Sequence, residues 1–114
     1  MLLLNDNHLT SLAFTHGDNV AILSARNNHI SSIGLETPQL ALVDLEGNQV
    51  TDLEAVRGLL AGCPGLLSIN MRDNEVSGMM KYRTAALELC PEIGEIDDVP
   101  INPQVREGFR VVVG

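Results

Sequence analysis

Residues 40–53 read LALVDLEGNQVTDL, and this stretch decides the fold. Its aliphatic side chains keep fixed distances from one asparagine, Asn48: they lie eight, five and three residues before it, and two and five residues after it. Alternate side chains of an extended strand point to opposite faces, so Val43 and Leu45 of the LVDL core are predicted to point inward. The stretch therefore predicts one short strand that ends in a turn built around Asn48.

The same frame recurs along the chain. It surrounds Asn28 and Asn74 in full, and Asn7 in all but its first position. Such a recurrence resembles the L-x-x-L-x-L-x-x-N-x-L-x-x-L pattern of leucine-rich repeat proteins, whose repeats stack as coils. A side-chain amide both donates and accepts hydrogen bonds, so it can satisfy backbone groups left unpaired where each coil turns. The predicted structural asparagine column is Asn7, Asn28, Asn48 and Asn74.

These repeats predict the fold class and the organisation of the chain. We expect an α/β leucine-rich repeat solenoid with short parallel strands on its concave face, loops and helices on its convex face, and a C-terminal cap. The 114 residues are expected to form one domain, with repeats and cap at about 1–19, 20–39, 40–65, 66–90 and 78–110.

The connecting segments differ in composition. AFTHGDN (13–19) and GLETPQ (34–39) are short and polar and contain glycine or proline, so they predict loops. DLEAVRGLLAGC (52–63) predicts a helix, because an N-cap candidate, Asp52, opens an apolar stripe of helical spacing that stops before Pro64.

The C-terminal part of the chain predicts a closing coil. GMMKYRTAALELC (78–90) has the apolar stripe of a second helix, which ends before Pro91. A last strand is expected over 95–98, although the asparagine position of this coil holds Ile101. Such a degenerate coil is typical of a terminal cap, whose outer face meets water. A short helix is expected near 104–110.

Composition limits the classes of partner. The chain has a net charge of −8, with 7 basic and 15 acidic residues. Because binding to nucleic acid or to an anionic membrane surface depends on lysine and arginine, neither is expected. Residues 1–4 are too short for a signal-peptide core, and no run approaches the length of a membrane span. We expect an intracellular protein.

Cysteine, histidine and motif content predict no chemistry. Cys63 and Cys90 each precede proline at equivalent places in two coils, where they form either a disulfide or, as is commoner inside cells, two buried thiols. His8 and His29 should stack roughly 5 Å apart, but two imidazoles are too few to hold a metal ion. No catalytic motif appears, so no enzyme activity, metal or cofactor is predicted.

The outward strand positions form the candidate binding site. Apolar Leu3, Ile22 and Leu42 should cluster near the N-terminal end of the concave face, inside a rim of charges. An apolar centre with a charged rim is typical of a protein-binding surface, and a partner helix would fit the groove; the alternative is scattered surface apolars. The predicted concave residues are Leu3, Ile22, Ser24, Arg26, Leu42, Asp44, Glu46, Asn70 and Arg72.

The N-terminal edge is a second place where a partner is expected. Residues 2–4 would form an apolar edge strand with open backbone groups, which soluble proteins usually avoid. We therefore expect this edge to be covered, either by another segment of a longer solenoid or by another chain.

The segment KYRTAALELCPEIGEIDDVPI (81–101) resembles the C-terminal cap of one class of leucine-rich repeat proteins. This class includes phosphatase regulators, the U2 snRNP A′ protein, tubulin-folding cofactors and several proteins of motile cilia. Glu75 stands where a proline commonly follows the repeat asparagine, so the turn into the cap helix is expected to differ. The cap residues that carry the resemblance are Tyr82, Arg83, Pro91, Ile96 and Asp97.

Within that class, LVDLEGNQV, a helical coil ending in CPGL, and IDDVPI are most similar to ciliary proteins linked to axonemal dynein arms. The resemblance implies a non-enzymatic adaptor in an axonemal or dynein-associated assembly, in the cytoplasm or cytoskeleton of a cilium or flagellum rather than in the nucleus. The alternatives are a spliceosomal subunit like the A′ protein, which touches RNA mainly through a protein partner, and a regulatory subunit of an enzyme such as a phosphatase.

Overall fold

The computed structural model describes residues 1–14 and 19–102, and its architecture is a stack of coils with a short strand in each. A 3₁₀ helix, Glu75–Gly78, precedes the second α-helix. In chain order the other elements are β1 (Leu2–Leu3), β2 (Ser11–Phe14), β3 (Ile22–Ser24), β4 (Ser32–Leu35), β5 (Leu42–Asp44), α1 (Leu53–Gly62), β6 (Ser68–Asn70), α2 (Met80–Leu89), β7 (Glu95–Ile96) and β8 (Val99–Pro100).

One six-stranded sheet runs through the whole stack, in the order β1-β3-β5-β6-β7-β8. Its first five strands are parallel, and the register pairs Leu23 with Val43, Val43 with Ile69, and Ile69 with Ile96. Inward side chains of successive coils therefore lie one above another. This parallel arrangement of short strands is the one that the repeat spacing predicts.

Aliphatic side chains fill the interior of the stack. The middle coils bury their inward residues completely: Val43 is 1% exposed, and Leu45 and Val50 are 0% exposed. In the first coil, Leu2 and Leu4 are only partly buried, because β1 pairs with β3 alone in the part of the chain that the structure describes. The covering of this edge by another segment or chain stays a prediction.

The connections of the first two coils contain a second sheet. β2 and β4 pair in parallel, from Ser11 with Ser32 onward. Residues 13–14 and 34–35 therefore lie in strands, and the prediction of loops over 13–19 and 34–39 is wrong for them. Leu12 and Leu35 are buried, which anchors each strand to the core. Because the two coils are nearly equal in length, each backbone meets the same segment of its neighbour.

The predicted helix of the third coil is confirmed. Asp52 caps α1, since its carboxylate accepts a hydrogen bond from the Glu54 amide at 2.9 Å. Val56, Leu59 and Leu60 on the apolar stripe are fully buried. This helix thus replaces the second sheet on the side of the coil opposite the main strands.

The cap region differs from the prediction at both ends. The 3₁₀ helix follows Asn74 directly, so the predicted helix over 78–90 begins two residues later as α2. The expected strand over 95–98 is a hairpin, because Asp97 and Asp98 both have positive φ, 54° and 63°, as a two-residue primed turn requires. β8 then pairs antiparallel with β7. The expected helix near 104–110, and with it the end of the predicted cap, lies outside the described residues.

Two glycines of α1 have opposite surroundings. A Cβ at Gly62 would lie 1.8 Å from the Leu35 carbonyl oxygen, so the helix touches the β4 backbone there. Gly58 has nothing within 4 Å and lines a shallow depression of about 530 Å³ between α1 and β4. Among the described residues, no helix has the length and apolar content needed to cross a membrane.

Gly58→Ala is expected to stabilise the protein by about 0.5–1 kcal/mol, since alanine favours the helix and its methyl group meets nothing. Gly62→Ala is expected to destabilise it, because the methyl group would collide with a backbone oxygen. Urea denaturation followed by circular dichroism measures both free energies of unfolding. Equal effects would contradict the packing of α1 against β4.

Candidate protein-binding site

Buried asparagine amides connect successive coils. The amide nitrogen of Asn48 donates to the Leu45 carbonyl of its own coil at 2.8 Å and to the Ala25 carbonyl of the preceding coil at 3.0 Å. Its amide oxygen accepts from the Ile30 N–H, also in the preceding coil, at 3.0 Å. One side chain thus satisfies backbone groups on two coils.

The other repeat asparagines follow this pattern with one exception. Asn28 bonds the Leu4 carbonyl at 2.9 Å and the Leu9 N–H at 3.1 Å. Asn74 likewise bonds a carbonyl and an N–H of the coil before it, at 2.9 and 3.0 Å. Asn7 is exposed and, within the described residues, donates only to carbonyls of its own coil. The structure therefore places three of the four predicted asparagines between coils.

The residue before each repeat asparagine has a left-handed backbone, which our sequence analysis did not identify. The φ angles are 59° at Asp6, 57° at Asn27, 75° at Gly47 and 56° at Asp73. Aspartate, asparagine and glycine adopt this conformation at the lowest cost. The dipeptides DN, NN, GN and DN are therefore the sequence signal for the turn that precedes each repeat asparagine.

The main sheet presents one face away from the core, and we call it the outer sheet face. The strand register places two rows of residues on this face, Leu3, Ser24, Asp44 and Asn70 in one and Ile22, Leu42, Ser68 and Glu95 in the other. Arg26, Glu46 and Arg72, also predicted to be concave, follow strands β3, β5 and β6 and border the face. The strand register sets Ile22 beside Leu42, and both side chains are only partly buried. Leu3, on the neighbouring row, is 62% exposed. Apolar side chains therefore meet solvent on this face.

A chain of ion pairs borders this apolar patch. Arg26 donates to Glu46 at 2.6 Å and lies 3.7 Å from Asp44. Arg72 contacts Glu46 at 3.4 Å and Asp98 at 2.9 Å. The Arg26 and Arg72 side chains are 43% and 50% exposed, so these pairs add little stability and chiefly fix side-chain orientation.

Glu46 is the centre of that chain. Asn70 donates its side-chain amide to Glu46 at 3.1 Å, and this bond, followed by the one from Arg26, lowers the pKa of the Glu46 carboxyl. The hydrogen bond between Arg26 and Glu46 also raises the pKa of the Arg26 guanidinium. Glu46 is therefore held in its charged form between the two arginines.

The residues of the predicted cap divide into two groups. Tyr82 and Ile96 are buried, and the Tyr82 hydroxyl donates to the Asp97 carboxylate at 2.7 Å, which also accepts from the Met71 N–H at 2.8 Å. Burial and the neighbouring Asp97 raise the pKa of the Tyr82 hydroxyl above its usual range. Arg83 and Pro91 lie exposed, outside this contact.

The histidine pair is exposed, and the cysteine pair is buried. The His8 and His29 rings stack with centroids 5.7 Å apart. Cys63 and Cys90 are buried free thiols, and burial raises the pKa of Cys90 to about 11. In the parts of the chain described, no three histidine, cysteine or carboxylate side chains are grouped to hold a metal ion.

Comparison with known proteins rests on structure. No protein-family model matches this chain, and no curated protein matches it by sequence. A chain in the crystal structure of the Drosophila melanogaster SNF/U2A′ complex superposes with a TM-score of 0.80 at 26% identity, over 94% of this chain and 64% of that one. The fold is leucine-rich-repeat-like.

A second similarity comes from the structure of the Chaetomium Mex67:Mtr2 subunits. The TM-score is 0.62 at 20% identity, over 82% of this chain and 68% of that one. At this identity the likeness concerns the fold alone. Neither similarity supports the specific cap class or the relation to ciliary dynein-associated proteins, which stay predictions.

Asn48→Ala is expected to lower the free energy of unfolding by at least about 2 kcal/mol, because buried backbone groups on two coils lose their partner. Asn7→Ala is the matched control and should cost less than about 0.5 kcal/mol, since Asn7 is exposed. Chemical denaturation of both variants measures the difference. Similar losses would show that the amides do not hold the coils together.

Proposed function

We propose that this chain is a non-enzymatic adaptor that binds a partner protein on its outer sheet face. The observation that carries the proposal is the apolar group of Leu3, which is 62% exposed, and Ile22 and Leu42, which are only partly buried. Contiguous exposed apolar side chains with polar neighbours are typical of protein interfaces. The similarity to a chain of the SNF/U2A′ complex supports an adaptor role.

The geometry of the face suits a helix as the bound element. Neighbouring strands lie about 4.8 Å apart, which is close to the separation of side chains three or four residues apart on one helix face. A partner helix crossing the strands can therefore place successive apolar residues on Ile22 and Leu42. The charged side chains of Arg26, Glu46 and Arg72 would lie along its flank.

For the cellular setting we propose a U2A′-like role first, in which the chain forms a stable pair with one protein partner. The support is the superposition over 94% of this chain. An axonemal or dynein-associated setting in a cilium or flagellum is the second candidate, supported by the sequence resemblance of LVDLEGNQV, CPGL and IDDVPI. A fluorescently tagged chain in the nucleus favours the first setting, and one in cilia favours the second.

Leu42→Asp is expected to abolish partner binding without unfolding the protein, because this side chain points away from the core. Met80→Asp is the matched control, since Met80 is 87% exposed at the start of α2, away from the outer sheet face. Affinity purification with mass spectrometry and thermal melts measures both effects. A partner retained by Leu42→Asp would contradict the proposal, and unfolding by Leu42→Asp would contradict the assigned strand face.

A further inference from the structure

The charges on the outer sheet face indicate what kind of helix it binds; this inference rests on the proposed function. Its two basic side chains in the described chain, Arg26 and Arg72, are already paired with carboxylates. Arg26 contacts Glu46 and Asp44, while Arg72 contacts Glu46 and Asp98. An acidic partner would therefore compete with carboxylates that already contact both cations.

Two carboxylates on the same face, Asp44 and Glu95, have weaker contacts with cations or none in the described chain. One carboxylate oxygen of Asp44 accepts a hydrogen bond from the Glu46 N–H at 3.1 Å, and the other oxygen lies 3.7 Å from the Arg26 Nε. Glu95 lies two strands from Leu42, because Leu42 pairs with Ser68 and Ser68 pairs with Glu95. Among the described residues Glu95 makes no ion pair. The row formed by Ile22, Leu42, Ser68 and Glu95 is thus apolar at one end and acidic at the other.

We propose that the partner presents a basic amphipathic helix to the outer sheet face. Its aliphatic side chains pack on Ile22 and Leu42, and its lysine or arginine side chains pair with Asp44 and Glu95. Two strand spacings separate Leu42 from Glu95, about 10 Å, which is close to two turns of helix. For the contact with Glu95, the matching sequence pattern has aliphatic residues three or four apart and a basic residue about seven positions beyond them. Asp44 lies on the same strand as Leu42, so its basic partner is a residue beside the aliphatic stripe.

The overall charge of the chain favours the same partner. A net charge of −8 repels acidic helices at long range and attracts basic ones, which accelerates association at low salt. Long-range attraction alone has no positional preference, whereas pairing with Asp44 and Glu95 does. A test must therefore separate the effect of where a basic residue lies on the helix from the effect of the net charge of the helix.

A display library of amphipathic helical peptides, with a fixed leucine stripe and random residues elsewhere, provides that test. The library is selected on the wild-type chain and counter-selected on Leu42→Asp. We expect the selected peptides to be enriched in lysine and arginine about two turns from the end of the leucine stripe. Peptides that depend on Leu42 but carry acidic or neutral residues there would overturn the inference and leave the proposed function standing.

Point variants then locate the charge contacts for one selected peptide. Asp44→Asn and Glu95→Gln should each weaken binding about two- to fivefold at low salt, and the difference should shrink at high salt. Glu88→Gln, an equal charge change on the exposed side of α2, should leave Kd unchanged. Equal weakening by all three would reduce the effect to net charge and overturn the inference. If no peptide depends on Leu42, the proposed function itself is contradicted.

Discussion

The structure depends on one repeated interaction, in which an asparagine amide bridges the backbones of two successive coils. Asn48 is an example, because its amide bonds Leu45 in its own coil and Ala25 and Ile30 in the preceding one. All three backbone groups are buried, so an apolar side chain at this position would leave them without partners. The bridges fix the vertical alignment of the coils and thereby the register of the main sheet.

That register creates the outer sheet face. Ile22, Leu42, Ser68 and Glu95 occupy equivalent positions on adjacent strands, so residues about 20 to 30 apart in sequence form one continuous row. No single coil contains the whole face. The ion pairs from Arg26 to Glu46 and from Glu46 to Arg72 arise in the same way, because each joins neighbouring coils.

Much of this organisation was predictable from the sequence, since the asparagine frame fixes which residues face inward. It located the strands β3, β5 and β6 of the main sheet and the α1 helix with its Asp52 cap. It did not reveal β2 and β4, because AFTHGDN and GLETPQ have the composition of loops and their pairing depends on a neighbour of similar length. The hairpin turn at Asp97 and Asp98 was missed because aspartate is only one of several residues that adopt positive φ. Which charges pair across coils depends on side-chain conformations that spacing does not determine.

The most direct test of the bridging role of asparagine is native-state hydrogen exchange of single amides, measured by NMR. The Ile30 and Val50 N–H groups are bonded to the Asn48 and Asn74 side chains and are fully buried. If these bridges hold the coils together, both amides exchange only through global unfolding, with the protection of the most stable backbone amides in the sheet. Exchange of Ile30 and Val50 at the rate of exposed loop amides would contradict the account.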